Sequence, residues 1–187
     1  GAIYATPATV DLLGVMLPDS AHIQESDAKR NAQRLRGKDA LPPLYTLQDA
    51  SDCLQQVRGI EYDREFAPRV GVRARFRDAG HILGSAIIEV WVTEYGYPTK
   101  LVFSGDLGQP GRPILRDPTP IEDADILVIE STYGNRQHKD FSATEEEMIG
   151  IVEKTLFERG GNVIVPAFAV GRTQEVLYHL HRLTSEG

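Results

Sequence analysis

The 187-residue sequence contains a single cysteine, Cys53, so no disulfide can form within it and no cysteine-based zinc finger can be built. That usage suits a reducing compartment, and the expected location is the cytoplasm. No stretch approaches the roughly 18 consecutive apolar residues of a membrane span. No basic start followed by an apolar run and a small-residue cleavage site marks a secretory leader. Positive charge is scarce as well: 20 Lys and Arg against 27 Asp and Glu leave a net charge of −7. Bulk electrostatics therefore give no general attraction for nucleic acid, and such a ligand would need a local basic groove. A G-x-G-x-x-G or P-loop pattern is lacking, which leaves nucleotide binding with little support, and there is no internal repeat or low-complexity tract.

What is present suffices for one substantial core and part of a second, at 41% hydrophobic and 25% charged residues. Gly1–Ala5 reads as a short strand. Thr6-Pro7 then starts a helix, the threonine accepting from free backbone N–H groups and the proline fitting the first turn. Leu12, Leu13, Met16 and Leu17 give it an apolar face. Ala21, Ala28, Ala32 and Leu35 continue the helical spacing to about Arg36, with a kink or break expected at Pro18. His22 reads as a helix-packing or surface residue, and the charges of this segment as a solvated face, the other reading being contact of its arginines with a partner. Gly37–Pro43 is expected to be a loop, and Thr46 with Asp49 forms a capping box for a helix from Leu47 to about Val57.

The period then changes from helical to alternating. Val70, Val72, Ala74 and Phe76 alternate with Arg73, Arg75 and Arg77, predicting a strand with one buried face and an arginine stripe on a solvated one. The other reading of the stripe is contact with an anionic substrate or another domain. Next comes an apolar hairpin, with Ile87–Val92 and Leu101–Phe103 as strands and Tyr95-Gly96-Tyr97-Pro98 as the turn. Near-continuous apolar sequence predicts cover on both faces. Its two ends carry chemistry: His81 lies between Gly80 and Gly84-Ser85, and Asp106 within Ser104-Gly105-Asp106-Leu107-Gly108. An imidazole and a carboxylate brought together are ligands suited to zinc, although two do not complete a site. A Gly- and Pro-rich loop leads to Ile126–Ile129, expected to be a buried strand ending on Glu130-Ser131-Thr132-Tyr133-Gly134. Ser142 and Glu145 predict a capping box for a helix closed by Gly160-Gly161. Asn162–Val165 is expected to be a buried strand. Pro166–Gln174 then leads into a helix through Val176, Leu177, Leu180 and Leu183. Such a strand, turn and helix form a Rossmann-like unit whose helix start can bind phosphate. The i, i+2 spacing of His179 and His181 puts them on different helix faces, in surface or packing roles.

Four segments together, Asp78–Ser85, Ser104–Asp106, Ile129–Gly134 and Pro166–Glu175, resemble the β-CASP branch of the metallo-β-lactamase superfamily, the RNA-processing nucleases related to the pre-mRNA 3′-end endonuclease. They occur in family order. Ile3–Pro7 and Asp19–Glu25 resemble the prokaryotic members too. The resemblance implies a mixed α+β or α/β fold, a partial metallo-β-lactamase αββα sandwich over residues 1–135 running into the start of a Rossmann-like β-CASP domain over 136–187. It implies that His81 is a metal ligand, that Asp106 bridges two zinc ions and takes part in catalysis, and that Glu130 supports a catalytic histidine. Ser131, Tyr133, Gly171 and Arg172 are implied to meet substrate, and RNA is the implied partner. In the family, a hydroxide held between two zinc ions attacks the RNA phosphorus.

The family's His-x-His-x-Asp-His motif has no counterpart among the histidines, which are residues 22, 81, 138, 179 and 181. The sequence is therefore expected to be an internal fragment of a zinc-dependent ribonuclease, inactive alone, with an incomplete ligand set. An unpaired sheet edge is expected where further strands should pair, favouring a homodimer or poor solubility. Alternatives are a hydrolase of another metallo-β-lactamase branch and a non-catalytic scaffold that has lost its metals.

Overall fold

In the computed structural model, residues 1–35, 41–135, 141–167 and 170–186 are described. They form a mixed α+β chain that divides into two units, Gly1–Glu130 and Ser131–Gly187.

The first unit opens with β1 (Ile3–Ala5). Thr6 caps α1 (Pro7–Arg34), its side chain accepting from the Thr9 N–H, with Pro7 in the first turn. The helix does not break at Pro18 but runs through it. A proline ring in a helix interior strikes the carbonyl four residues back, and here that residue is Gly14, whose lack of a side chain leaves the backbone room to adjust. In α2 (Leu47–Gln56) the capping box of Thr46 and Asp49 is complete, and the Leu47 N–H donates to the carboxylate of Glu25 on α1 at 3.0 Å. After α2 comes β2 (Val57–Gly59), paired parallel with β1, a strand that the charged and glycine-containing segment Val57-Arg58-Gly59 did not announce.

A five-stranded sheet follows, in the order β3 (Glu65–Arg69), β4 (Val72–Asp78), β5 (Ala86–Glu94), β6 (Tyr97–Phe103) and β7 (Ile126–Val128). Neighbours are antiparallel except β6 and β7, which run parallel. At the β5–β6 turn Tyr95 and Gly96 have φ of 50° and 85°, the left-handed pair that a tight two-residue hairpin requires. The Ala74 and Phe76 side chains are buried on one face of the sheet, where Phe76, Phe66 and Tyr4 stack at 4.9–5.2 Å between ring centroids. Val70, expected on that face, instead sits at the β3–β4 turn and is 98% exposed.

The opposite face corrects the expectation of a solvated arginine stripe. Register places Arg75 opposite Glu89, Arg73 opposite Trp91, and Trp91 opposite Lys100. Glu89 is 2% exposed and takes Arg75 Nε at 2.7 Å and Lys100 Nζ at 2.8 Å, while Lys100 also reaches Asp123 at 2.8 Å. Arg77 pairs with Asp63 and Arg73 with Glu65, each at 3.1 Å. Burial by itself would push the Glu89 carboxyl up, but the hydrogen bonds from Arg75 and Lys100, with their charges, outweigh it and hold the group below the ordinary glutamate range. Burial likewise works to lower Lys100, and its bonds to Asp123 and Glu89 reverse that and hold its pKa above the ordinary value. Farther along this face Ala79, Ile87 and Val102 form a buried cluster covered by Leu107 and Ile121.

Two expected buried strands differ. Ile126–Ile129 supplies β7, but each of its four residues is at least half exposed, because β7 lies at the sheet edge and pairs only with β6 among the described residues. Asn162–Val165 forms no strand, and Ile164 is 90% exposed. A strand needs a neighbour for its backbone groups, and none is present here among the described residues.

In the second unit, α3 (Phe141–Glu153) passes into a π-helical turn (Lys154–Glu158), and Gly160 ends it at a φ of 62°. The side chain of Ser142 and the residues around His138 lie outside what is described. From α4 (Arg172–Glu186), Arg182 donates to Glu145 of α3. His179 is buried with Nδ1 3.3 Å from the same carboxylate, whereas His181 is exposed, so both histidines occupy packing and surface positions.

Candidate functional site

The corner that carries His81 is fixed by short side chains. The Ser85 hydroxyl accepts from the backbone N–H groups of His81 and Ile82 at 3.1 and 3.2 Å, and the Asp78 carboxylate accepts from the Gly80 N–H at 2.9 Å. From α1, the hydroxyls of Thr6 and Thr9 both donate to the Gly84 carbonyl, at 2.8 and 3.0 Å. Tyr62 donates to the Ser85 carbonyl at 2.8 Å, and burial, with the Asp78 charge nearby, pushes its hydroxyl above the ordinary tyrosine range. Gly84 is required for two reasons: φ is 88°, and a Cβ would come within 2.8 Å of the Thr9 backbone nitrogen.

The second corner lies directly against the first. The Gly108 N–H donates to the Ala79 carbonyl at 2.8 Å, and a side chain at Gly108 would fall on the Gly80 carbonyl. The turn holding Asp106 thereby meets the turn holding His81. A third segment joins them. Ser104 N–H donates to the Val128 carbonyl, the Ser104 hydroxyl accepts from Glu130 N–H at 3.1 Å, and the Glu130 carboxylate accepts from the Leu107 N–H. Glu130 therefore clamps the residue immediately after Asp106. The His81 and Asp106 side chains are both exposed, and Glu130 is half-buried.

The residues implied to meet substrate lie in the second unit. Ser131 and Tyr133 are exposed in the turn after Glu130, with Tyr133 in the left-handed region at a φ of 58°. Gly171, at a φ of 90°, precedes α4, and its N–H donates to the Gln174 side chain at 2.7 Å. Arg172, the first residue of that helix, is exposed and lies 3.9 Å from Glu175.

Three contributors to the first corner escaped the sequence reading: Thr9, Tyr62 and Ser85 as holders of the His81 turn. The threonine spacing at the start of α1 was the available signal, since Thr6 and Thr9 fall on one side of the first turn.

A metal ion would need more than these residues. Among the described residues no three His, Cys, Asp or Glu side chains gather into a group able to hold one. His81 and Asp106 do not by themselves fit a catalytic zinc, which takes three protein ligands.

Comparison with known proteins settles the lineage. No family model matches the chain. It is 36% identical over 187 residues to Ribonuclease TTHA0252 of Thermus thermophilus, covering 98% of this chain and 38% of that protein. It is 30% identical to the RNase J-like protein of Methanocaldococcus jannaschii, covering 99% of this chain and 39% of the relative. Transcription termination factor FttA of Pyrococcus abyssi is 33% identical over 182 residues, 95% of this chain and 26% of its own length. The chain belongs to the β-CASP branch of the metallo-β-lactamase superfamily. It spans well under half the length of these relatives, whose names describe ribonucleases and a transcription termination factor.

Proposed function

We propose that the whole protein containing this chain is a zinc-dependent ribonuclease that hydrolyses RNA phosphodiesters, with residues 1–135 part of an αββα metallo-β-lactamase domain and 136–187 the opening of the β-CASP domain. The observation that carries the reading is the junction of the His81 turn, the Asp106 turn and Glu130, joined by the Gly108–Ala79 and Leu107–Glu130 hydrogen bonds. Three chemistry-bearing segments from distant parts of the sequence are brought together there, by one backbone bond and one bond to the Glu130 carboxylate. His81 and Asp106 serve as two ligands of a zinc centre completed by ligands other than the described residues. When bound, such a centre would supply a hydroxide nucleophile near neutral pH and offset charge on the phosphoryl oxygens. Glu130 positions the Asp106 turn. The Ser131–Tyr133 turn and the start of α4, with Gly171 and Arg172, offer hydroxyl, N–H and guanidinium groups to the phosphate backbone.

The test is cleavage of a labelled RNA by the full-length protein, alongside its metal content. His81→Ala should remove bound zinc and cut the rate by more than the ~10–100-fold typical of losing a residue that only orients a ligand. Glu130→Gln should fall within that range. Unchanged cleavage by His81→Ala overturns the metal role. A full-length protein that binds no metal supports instead a non-catalytic scaffold.

A further inference from the structure

We propose that the sheet end bearing Arg69, Arg73 and Trp91 is a subsite for single-stranded RNA, separate from the turns that carry His81 and Asp106; the choice of RNA as occupant rests on the ribonuclease reading.

The arginine face is used in two different ways along its length. Near Asp78 it is covered by Leu107 and Ile121, and in its middle Arg75 and Lys100 are consumed by buried Glu89. The far end is left open. Around that end, where the β3–β4 turn carries Arg69 and Val70, these two residues with Arg73, Trp91 and Thr93 line a shallow, open concavity of about 460 Å³. Arg69 is exposed and makes no ion pair among the described residues. Arg73 pairs with Glu65 at 3.1 Å, but both side chains are about half exposed, and such a surface pair is weak enough for a phosphate to compete.

The chemistry of the lining selects the occupant. Arg73, Arg75 and Lys100 all lie over the Trp91 ring, at 4.7, 5.3 and 5.5 Å from its centre, so the indole sits among cations on an otherwise acidic chain. An indole offers stacking to any base, and guanidinium groups offer phosphate contacts. A duplex hides its base faces and cannot use the indole. From Arg73 to Asp78 the strand covers about 17 Å, so one flexible strand of RNA can occupy this end of the sheet and still reach the His81 turn.

The experiment measures binding of the full-length protein to a fluorescein-labelled oligouridylate of about 20 nucleotides, longer than a typical single-strand site. EDTA is present so that no cleavage is required. Arg69→Ala and Arg73→Ala should each weaken binding several-fold and lower the salt slope by about 0.7, while Arg69→Lys retains the slope. Trp91→Leu should cost roughly 5–150-fold, and a matching duplex should be insensitive to it. With 4-thiouridine in the strand, photo-crosslinks should map to residues 67–73 or 91–93. Arg69→Ala is an exposed change that leaves the fold intact, so unchanged affinity and slope in that variant overturn the proposal, as do crosslinks found only elsewhere. A surface for a protein partner would also leave RNA affinity unchanged. A protein that cleaves no RNA yet shows these losses refutes the nuclease reading and keeps the subsite; one that cleaves RNA without them does the reverse.

Discussion

Glu89 is a carboxylate in the middle of a mostly apolar strand, buried against two cations. Removing one member of such a group leaves the others charged and desolvated. Glu89→Ala should therefore cost about 3–5 kcal/mol in urea denaturation. Because its folded pKa lies below the ordinary 4.5, Glu89 contributes stability that is present above that value and lost as pH falls through the folded pKa. Glu89→Gln should flatten the acid limb of a stability profile measured below about pH 4.5. Lys100 acts at the other extreme: its folded pKa is raised, so its contribution holds below the ordinary 10.5 and disappears as pH rises through the folded value. Gly108 is critical for another reason. Its Cβ would fall on the Gly80 carbonyl, so Gly108→Ala should force the two turns apart and destabilise the chain by ~2 kcal/mol, read from the same denaturation curve. At this scale Asp106 and Glu130 stood out in the sequence because each follows an apolar run beside small residues, and His81 because it precedes the apolar hairpin between Gly80 and Gly84. The arginine stripe was misread because its meaning depends on Glu89, which pairs across strands and has no local signature.

Elements were legible where the signal is local. The capping box of α2 is an example, and Thr46→Ala should cost about 1 kcal/mol, seen as a lowered denaturation midpoint without a change in slope. The β5–β6 hairpin was equally plain from its near-continuous apolar strands and its Tyr95-Gly96-Tyr97-Pro98 turn, although the cover expected on both faces is incomplete, since Ile88 and Phe103 are exposed among the described residues. At Pro18 local sterics predict a kink or break, and the helix continues through it without a break. Pro18→Ala should consequently stabilise the chain, by up to about 3 kcal/mol. β2 and β3 were missed since each exists through its partner: β2 is three residues paired to β1, and β3 carries a proline and two charges. The opposite error came from Asn162–Val165, whose β-branched composition favours a strand while no pairing partner is present among the described residues.

Across the molecule, burial is uneven. All of the buried hydrophobic residues among those described, from Ala21 to Val102, belong to Gly1–Glu130. Amide hydrogen exchange should be slowest in β4, β5 and β6 and much faster in α3 and α4, which would distinguish an ordered first unit from a second with little core of its own. Equal protection in both units would contradict this. The hydrogen bonds from Thr6 and Thr9 to Gly84 have a further effect, on the order in which the chain assembles. They join residues 78 and 75 positions apart, so the His81 turn cannot take its final shape from its own hairpin. Local pieces such as the β5–β6 hairpin can form early, but this corner waits for a long loop to close. The site is therefore among the last parts of the first unit to be acquired in refolding, after the sheet that carries it.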